Sequence, residues 1–193
     1  MSSAVKILAM AGSTREASFN KKLVKLAAAG AQAAGAEVTV IDLRDLAMPL
    51  YDGDLEASSG LPASAMKLKE LMLAHQGFLI SSPEYNSSIS AVLKNAIDWA
   101  SRPATGEPPL ACFNDKVAAL ISASPGALGG LRGLVHLRAV LGNINVLVLP
   151  DQVAVMNAHT AFADDGSLKD VKLQARVEAV GAKLARVLAK LHN

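Results

Sequence analysis

Three hydroxyl side chains, a guanidinium and a carboxamide crowd into one short stretch near the N-terminus. They are Ser13, Thr14, Arg15, Ser18 and Asn20, in GSTREASFN from Gly12 to Asn20. An apolar run precedes the stretch and a helical apolar repeat follows it, so it forms a loop and the first turn of a helix. The first N–H groups of a helix have no intrahelical acceptor, and the helix dipole adds partial positive charge there. The hydroxyls add donors, and Arg15 adds a fork that matches phosphate oxygens. A phosphate group would satisfy all of these together. The same residue types also serve plainer ends, with Ser18 as a helix cap and Arg15 as a solvated charge. G-x-x-x-x-G-K-[ST] and G-x-G-x-x-G are both absent, and the loop holds no cysteine. A nucleotide P-loop, a dinucleotide loop and a thiolate phosphatase are therefore excluded, which leaves a hydroxyl-lined loop for a phosphate monoester.

Two further clusters share this character. SSPEYNSSISAVLKNAIDW runs from Ser81 to Trp99. Pro83 ends a strand and biases Ser82 toward an extended conformation. The backbone of Glu84 to Ser87 is then placed to meet a planar heterocycle, and Tyr85 can flank its face. Ser87 or Ser88 is expected to cap a helix beginning near Ile89. Glu84 has no second carboxylate or histidine nearby in sequence, which favours a structural role over acid–base work. The third cluster is ISASPGALGG, Ile121 to Gly130. Its Ser122 and Ser124 are donors, and its glycines permit a tight turn and close approach of backbone to a flat ligand.

The elements that must carry these loops can be read from apolar patterning. Val5–Ala11, Glu37–Asp42, Gly77–Ser82, Val117–Ala123 and Ile144–Leu149 are short, nearly continuous apolar runs, as expected of strands buried on both faces. Helical repeats lie between them. Phe19, Leu23, Leu26, Ala27 and Gly30 form one, Leu68, Leu71 and Met72 a second, and Ile89, Val92, Leu93, Ala96, Ile97 and Ala100 a third. Leu128, Leu131, Val135 and Ala139 mark a fourth, and Val177, Leu184, Val187, Leu188 and Leu191 the last. Trp99 lies off the centre of its stripe and is expected to be half-buried or at a subunit contact. Asp151–Asp170 reads as a longer loop region, with room for short structure of its own. Alternating strands and helices give right-handed βαβ units and a doubly wound sheet, either in the order 2-1-3-4-5 or as a Rossmann half. In such sheets ligands bind beyond the C-terminal strand ends, where all three clusters fall.

The whole chain is consistent with one globular unit. It has 193 residues, 51% of them hydrophobic, and a net charge of +2 with no basic cluster suited to nucleic acid. One cysteine, Cys112, cannot form an intrachain disulfide, and no signal peptide or membrane span is apparent, so a cytoplasmic location is expected. His75, His136, His159 and His192 are scattered. No nucleophilic triad or metal constellation is present, and no catalytic side chain or metal ligand is expected.

Together the clusters resemble the NADPH-dependent FMN reductase family, of the flavodoxin-like superfamily, which includes quinone, azo-dye and chromate reductases. GSTREASFN fits its G-S-x-R-x-x-S-x-N pattern, PEYNSSISAVLKNAIDW fits its P-E-Y-N…L-K-N-A-I-D-W signature, and SPGALGG is the third segment. The similarity covers Val5 to about Pro150. It implies an α/β flavodoxin-like three-layer sandwich, with a five-stranded parallel sheet in order 2-1-3-4-5, and a single FMN-binding domain over residues 1–193. It implies that Ser13, Arg15, Ser18 and Asn20 bind the FMN phosphate, with Phe19 contributing backbone. Pro83, Glu84, Tyr85, Asn86 and Ser87 would line the flavin, and Ser124 would contact it from the next loop. The chain shows no long terminal extension of the arsenic-resistance type, which makes that branch less expected.

The implied activity is hydride transfer from NADPH or NADH to FMN, then two-electron reduction of a small-molecule acceptor, with ping-pong kinetics. The acceptor would be a quinone, an azo compound, a metal oxyanion or free flavin. Leu134, Leu137 and Leu141 give the helix from Leu128 to Leu141 a second apolar stripe. One stripe can face the sheet; the other needs a further surface, so a homodimer or homotetramer is expected, whose neighbouring chain can complete the nicotinamide site. Neither nucleic acid nor membrane is an expected partner. Two other readings stand beside this one: a flavodoxin-like electron carrier without NAD(P)H oxidation, and a different phosphate-binding α/β protein.

Overall fold

The computed structural model describes residues 4–192. In chain order the elements are β1 (Lys6–Ala11), α1 (Phe19–Ala33), β2 (Glu37–Asp42), a 3-10 turn (Leu43–Leu46), α2 (Gly53–Ser59), α3 (Ala63–Leu73), β3 (Gly77–Ser81), β4 (Glu84–Tyr85), β5 (Ser88–Ile89), α4 (Ala91–Ala100), β6 (Val117–Ala123), α5 (Leu131–Asn143), β7 (Leu147–Val155), α6 (Ala158–Ala161) and α7 (Val171–His192). Five strands form one parallel sheet, ordered β2-β1-β3-β6-β7. Counted among themselves these strands run 2-1-3-4-5, the flavodoxin-like order. β4 and β5 pair separately as a small antiparallel hairpin.

The three central strands are almost wholly buried and mostly apolar, apart from the exposed Lys6 at the start of β1, because both faces are covered. Ile7, Ala9, Leu79, Ala119 and Ile121 pack against Leu23, Val24 and Ala27 of α1 and Val177, Val180 and Leu184 of α7. The alternate residues Leu8, Met10, Phe78, Ile80, Ala118 and Leu120 pack against α3, α4 and α5 on the other face. This is the strand period of two, with a helical layer on each side. α1 and α7 approach so closely that a Cβ at Gly30 would strike the Glu178 carbonyl, and one at Gly181 the Ala27 carbonyl.

Three local expectations need correction. The last strand runs on to Val155, where a loop was expected from Asp151. Its register against β6 shifts between Ala118 and Leu120, so Pro150 falls where no ladder bond is required, on an edge strand. Beyond Val155 the segment holds the short structure it had room for, α6 and a bridge between Phe162 and Leu168. α4 begins at Ala91, capped by Ser90 rather than by Ser87 or Ser88, because Ser88 and Ile89 are committed to the hairpin. Trp99 is fully buried, with 0% exposure. Its Nε1 donates to the Pro49 carbonyl at 2.8 Å and its ring meets Tyr51 edge-on. Pro49 and Tyr51, from the segment before α2, meet Asn95 and Trp99 and cover that flank of α4.

In α5 the expected second stripe is the one that faces inward. Leu134, Leu137 and Leu141 are buried against the sheet, while Leu128, Leu131 and Val135 are exposed. Among the described residues, no helix is long and apolar enough to cross a membrane.

Candidate functional site

β1, β3 and β6 are adjacent, so the loops leaving their C-terminal ends open side by side. The first loop is Gly12–Ser18. Its base is fixed by the Gly12 N–H donating to the Ser81 carbonyl at 2.9 Å, and by the Ser90 hydroxyl donating to the Gly12 carbonyl at 2.6 Å. Ser18 caps α1 by accepting from the Lys21 N–H, and Ser13 Oγ accepts from the Arg15 N–H at 3.3 Å. Each hydroxyl therefore keeps its own O–H to donate outward. Phe19 and Asn20 hold the first helical positions, whose N–H groups have no intrahelical acceptor. Arg15 is exposed, and its guanidinium forms no ion pair among the described residues.

The Asn20 side chain does something other than expected. It is buried, its Nδ2 donates to the Ala123 carbonyl, and its Oδ1 accepts from the Ala123 N–H and the Ser81 hydroxyl. This one carboxamide bolts the start of α1 to the ends of β3 and β6. What Asn20 presents to the loop is its backbone N–H.

The second loop is the β4–β5 hairpin. Glu84 pairs with Ile89 and Tyr85 with Ser88, leaving Asn86 and Ser87 as a two-residue turn. Their φ values are 50° and 67°, as a type I′ turn requires. The hairpin is clamped to α5. Glu84 accepts from the Arg132 guanidinium and from the Gly133 N–H at 3.1 Å, and Ser88 Oγ lies 3.0 Å from His136 Nδ1. Burial pushes the Glu84 carboxyl up, but the Gly133 N–H and the Arg132 guanidinium outweigh it and hold it below its ordinary range. Glu84 thus clamps the hairpin to α5 through a carboxylate whose charged form the Gly133 N–H and Arg132 favour. Tyr85 projects outward, 52% exposed. Pro83 is buried at the strand end.

The third loop, Ser124–Gly130, is held by the segment after β7. The Ser124 N–H donates to the Val155 carbonyl at 3.1 Å, and the Ala158 N–H donates to the Ser124 carbonyl at 3.0 Å. Gly130 ends the loop in the left-handed region at φ 93°, and a Cβ there would collide with the Ser122 hydroxyl. That hydroxyl instead donates to the Ser82 carbonyl at 2.7 Å, joining the second and third loops.

These loops match a known family model. Residues 5–160 match the model described as NADPH-dependent FMN reductase. The chain belongs to the NADPH-dependent FMN reductase family. An NAD(P)H-dependent FMN reductase of Pseudomonas aeruginosa is 36% identical over 179 residues, covering 92% of each chain. A quinone reductase of Escherichia coli is 34% identical over 157 residues, 77% of this chain and 76% of that one. The solved structure of a flavoenzyme NAD(P)H:(acceptor) oxidoreductase from Paracoccus denitrificans superposes with a TM-score of 0.80 at 30% identity, over 98% of this chain and 99% of that one. An azoreductase structure from Bacillus anthracis shares the fold, with a TM-score of 0.61 at 22% identity over 96% of this chain and 99% of that one.

As a member of this family the chain is an FMN-dependent NAD(P)H oxidoreductase, and the donors present suit that cofactor. A phosphate monoester matches the helix-start N–H groups, the two hydroxyls and the unpaired guanidinium. The exposed hairpin tip, Tyr85 and Asn86, suits a planar ring. Among the described residues, no group of three His, Cys, Asp or Glu side chains is arranged to hold a metal. His75 is buried and its ring nitrogens face the Leu71 carbonyl and the Thr39 hydroxyl, far from these loops. Sequence reasoning missed Ser90, Arg132 and Phe162. Ser90 was obscured by the neighbouring Ser87 and Ser88, Arg132 gave no signal before the hairpin was placed on α5, and Phe162 lay in the stretch read as a loop region.

Proposed function

We propose that this oxidoreductase oxidises NADPH or NADH and reduces a quinone, an azo compound, a metal oxyanion or free flavin, using FMN held across the three loops. The observation that carries this reading is the exposed, unpaired Arg15 beside the helix-start N–H groups and the Ser13 and Ser18 hydroxyls, on the loop next to an outward-facing hairpin. Ser13, Arg15 and Ser18, with the backbone of Phe19 and Asn20, hold the phosphate. Pro83, Glu84, Tyr85, Asn86 and Ser87 shape the ring side, and Ser124 closes the third side.

Bound FMN supplies the two-electron carrier between NAD(P)H and the acceptor. The chain's own residues bind and orient. Arg15 neutralises phosphate charge, the rigid I′ turn fixes the hairpin tip at one height, and Glu84 ties that hairpin to α5 without exchanging a proton near neutrality. The open hairpin tip serves one planar substrate at a time, so oxidised nicotinamide leaves before the acceptor enters. Relatives named as quinone reductases and as an NAD(P)H:(acceptor) oxidoreductase support this acceptor class.

The chain forms one FMN-binding domain. It assembles as a homodimer or homotetramer through the exposed Leu131 and Val135 of α5 and Leu128 of the loop before it, which lie beside the hairpin. The single cysteine, buried and free, suits the reducing cytoplasm. Initial rates measured over a grid of NADPH and quinone concentrations test the one-at-a-time order. Parallel double-reciprocal lines are expected; lines that intersect would show both substrates bound together and contradict it.

A further inference from the structure

Phe162 lies beyond the stretch that carries the family match, which ends at residue 160. It is 8% exposed, and its ring stacks on Phe19 with centroids 5.7 Å apart and planes within 10°. Phe19 is the first helical residue of α1, directly after the cap Ser18. The Lys22 ammonium sits over the Phe162 ring, 5.8 Å from its centroid, and so comes from the next turn of the same helix. The start of α1 is thus held on two sides. Asn20 bolts it inward to β3 and β6, and Phe162 supports it from the flank.

The segment carrying Phe162 reaches a second loop as well. Val155 and Ala158 hold both backbone groups of Ser124, and the Asn157 N–H points to the Gly126 carbonyl at 3.4 Å. Asn157 makes this possible by turning the chain in the left-handed region at φ 48°. Eight residues, Val155 to Phe162, therefore brace the first and third loops at once.

We infer that Phe162 is a positioning residue for phosphate recognition: its ring sets the direction of the first turn of α1, and with it the aim of the N–H groups that meet the anion. The inference rests on the reading of Gly12–Asn20 as the phosphate loop. A ring that only filled core volume would affect all ligands alike. A ring that aims the helix start would affect the phosphate ester and spare the same molecule without its phosphate.

The test is a titration of the full-length apo protein with FMN and with riboflavin, followed by quenching of flavin fluorescence. The proteins compared are wild type, Phe162→Ala, Phe162→Tyr and Arg15→Ala. Phe162→Ala should lower the preference for FMN over riboflavin about three- to tenfold, the range of one aromatic pair. Riboflavin affinity should stay put, and Phe162→Tyr should restore the preference. An unchanged preference in Phe162→Ala, or an equal loss for both ligands, overturns the inference if Arg15→Ala still lowers the preference. If Arg15→Ala leaves the preference intact as well, the phosphate loop itself is misassigned. Should Phe162→Ala fail to fold, Phe162→Leu keeps most of the volume and loses the ring, and the same outcomes decide.

Discussion

Glu84, in the proposed flavin cradle, shows how a residue can matter through charge without doing acid–base chemistry. Its side chain is only 8% exposed, and its oxygens meet Arg132 and the Gly133 N–H. The folded state holds the carboxyl below its ordinary value of 4.5. A carboxyl with a depressed folded value stabilises the protein fully above its ordinary value, and loses that contribution as pH falls through the folded value. Glu84→Gln should cost about 1–2 kcal/mol near neutrality, a figure kept low because Arg132 is mostly in solvent. Urea midpoints of the wild type and the variant should converge as the pH drops below the carboxylate range. A gap that persists unchanged into acid would show that the charge is not what holds the hairpin. The carboxylate's type and its isolation from other acids and bases were legible in the sequence. Its partner was not, because Arg132 is far away in the chain and meets Glu84 only when α5 crosses the hairpin.

At the level of elements, the chain was most legible where burial is symmetric. β1, β3 and β6 are apolar on both faces, and their runs stood out as strands. The edge strand β7 was legible only for its first residues, because Pro150, Asp151 and Gln152 look like a turn unless the register shift is known. Trp99 was misplaced because a helix stripe accounts only for the sheet side, and here Pro49 and Tyr51 bury a second face. The helix start at Ala91 was displaced by a hairpin too short to show a periodicity. Helix packing on the other face makes a firmer prediction. Gly181 lets α7 rest on the Ala27 carbonyl of α1, backbone against side-chain-free backbone. Gly181→Ala should destabilise the fold by about 1–3 kcal/mol through overpacking, read as a lower urea midpoint with an unchanged m-value. Full stability in that variant would mean that the two helices can separate freely.

At the scale of the whole molecule, the outward face of α5 lies beside the hairpin proposed to meet the flavin. Leu128, Leu131 and Val135 are 48%, 41% and 58% exposed, unlike the buried stripe behind them. A patch of this kind is what self-association would cover. The double variant Leu131→Asp, Val135→Asp should sediment as a monomer while the wild type sediments as a dimer or tetramer. A wild type that sediments as a monomer at micromolar concentration would contradict that assembly. The central claim is that the three loops hold FMN for hydride transfer from NAD(P)H. The most direct measurement is anaerobic stopped-flow absorbance of the FMN-loaded protein, mixed with NADPH or NADH and then with a quinone. Rapid bleaching of the flavin band by a nicotinamide, and its return with quinone, is the result this account predicts. Protein that binds FMN but bleaches only with dithionite would be a carrier, and would contradict it.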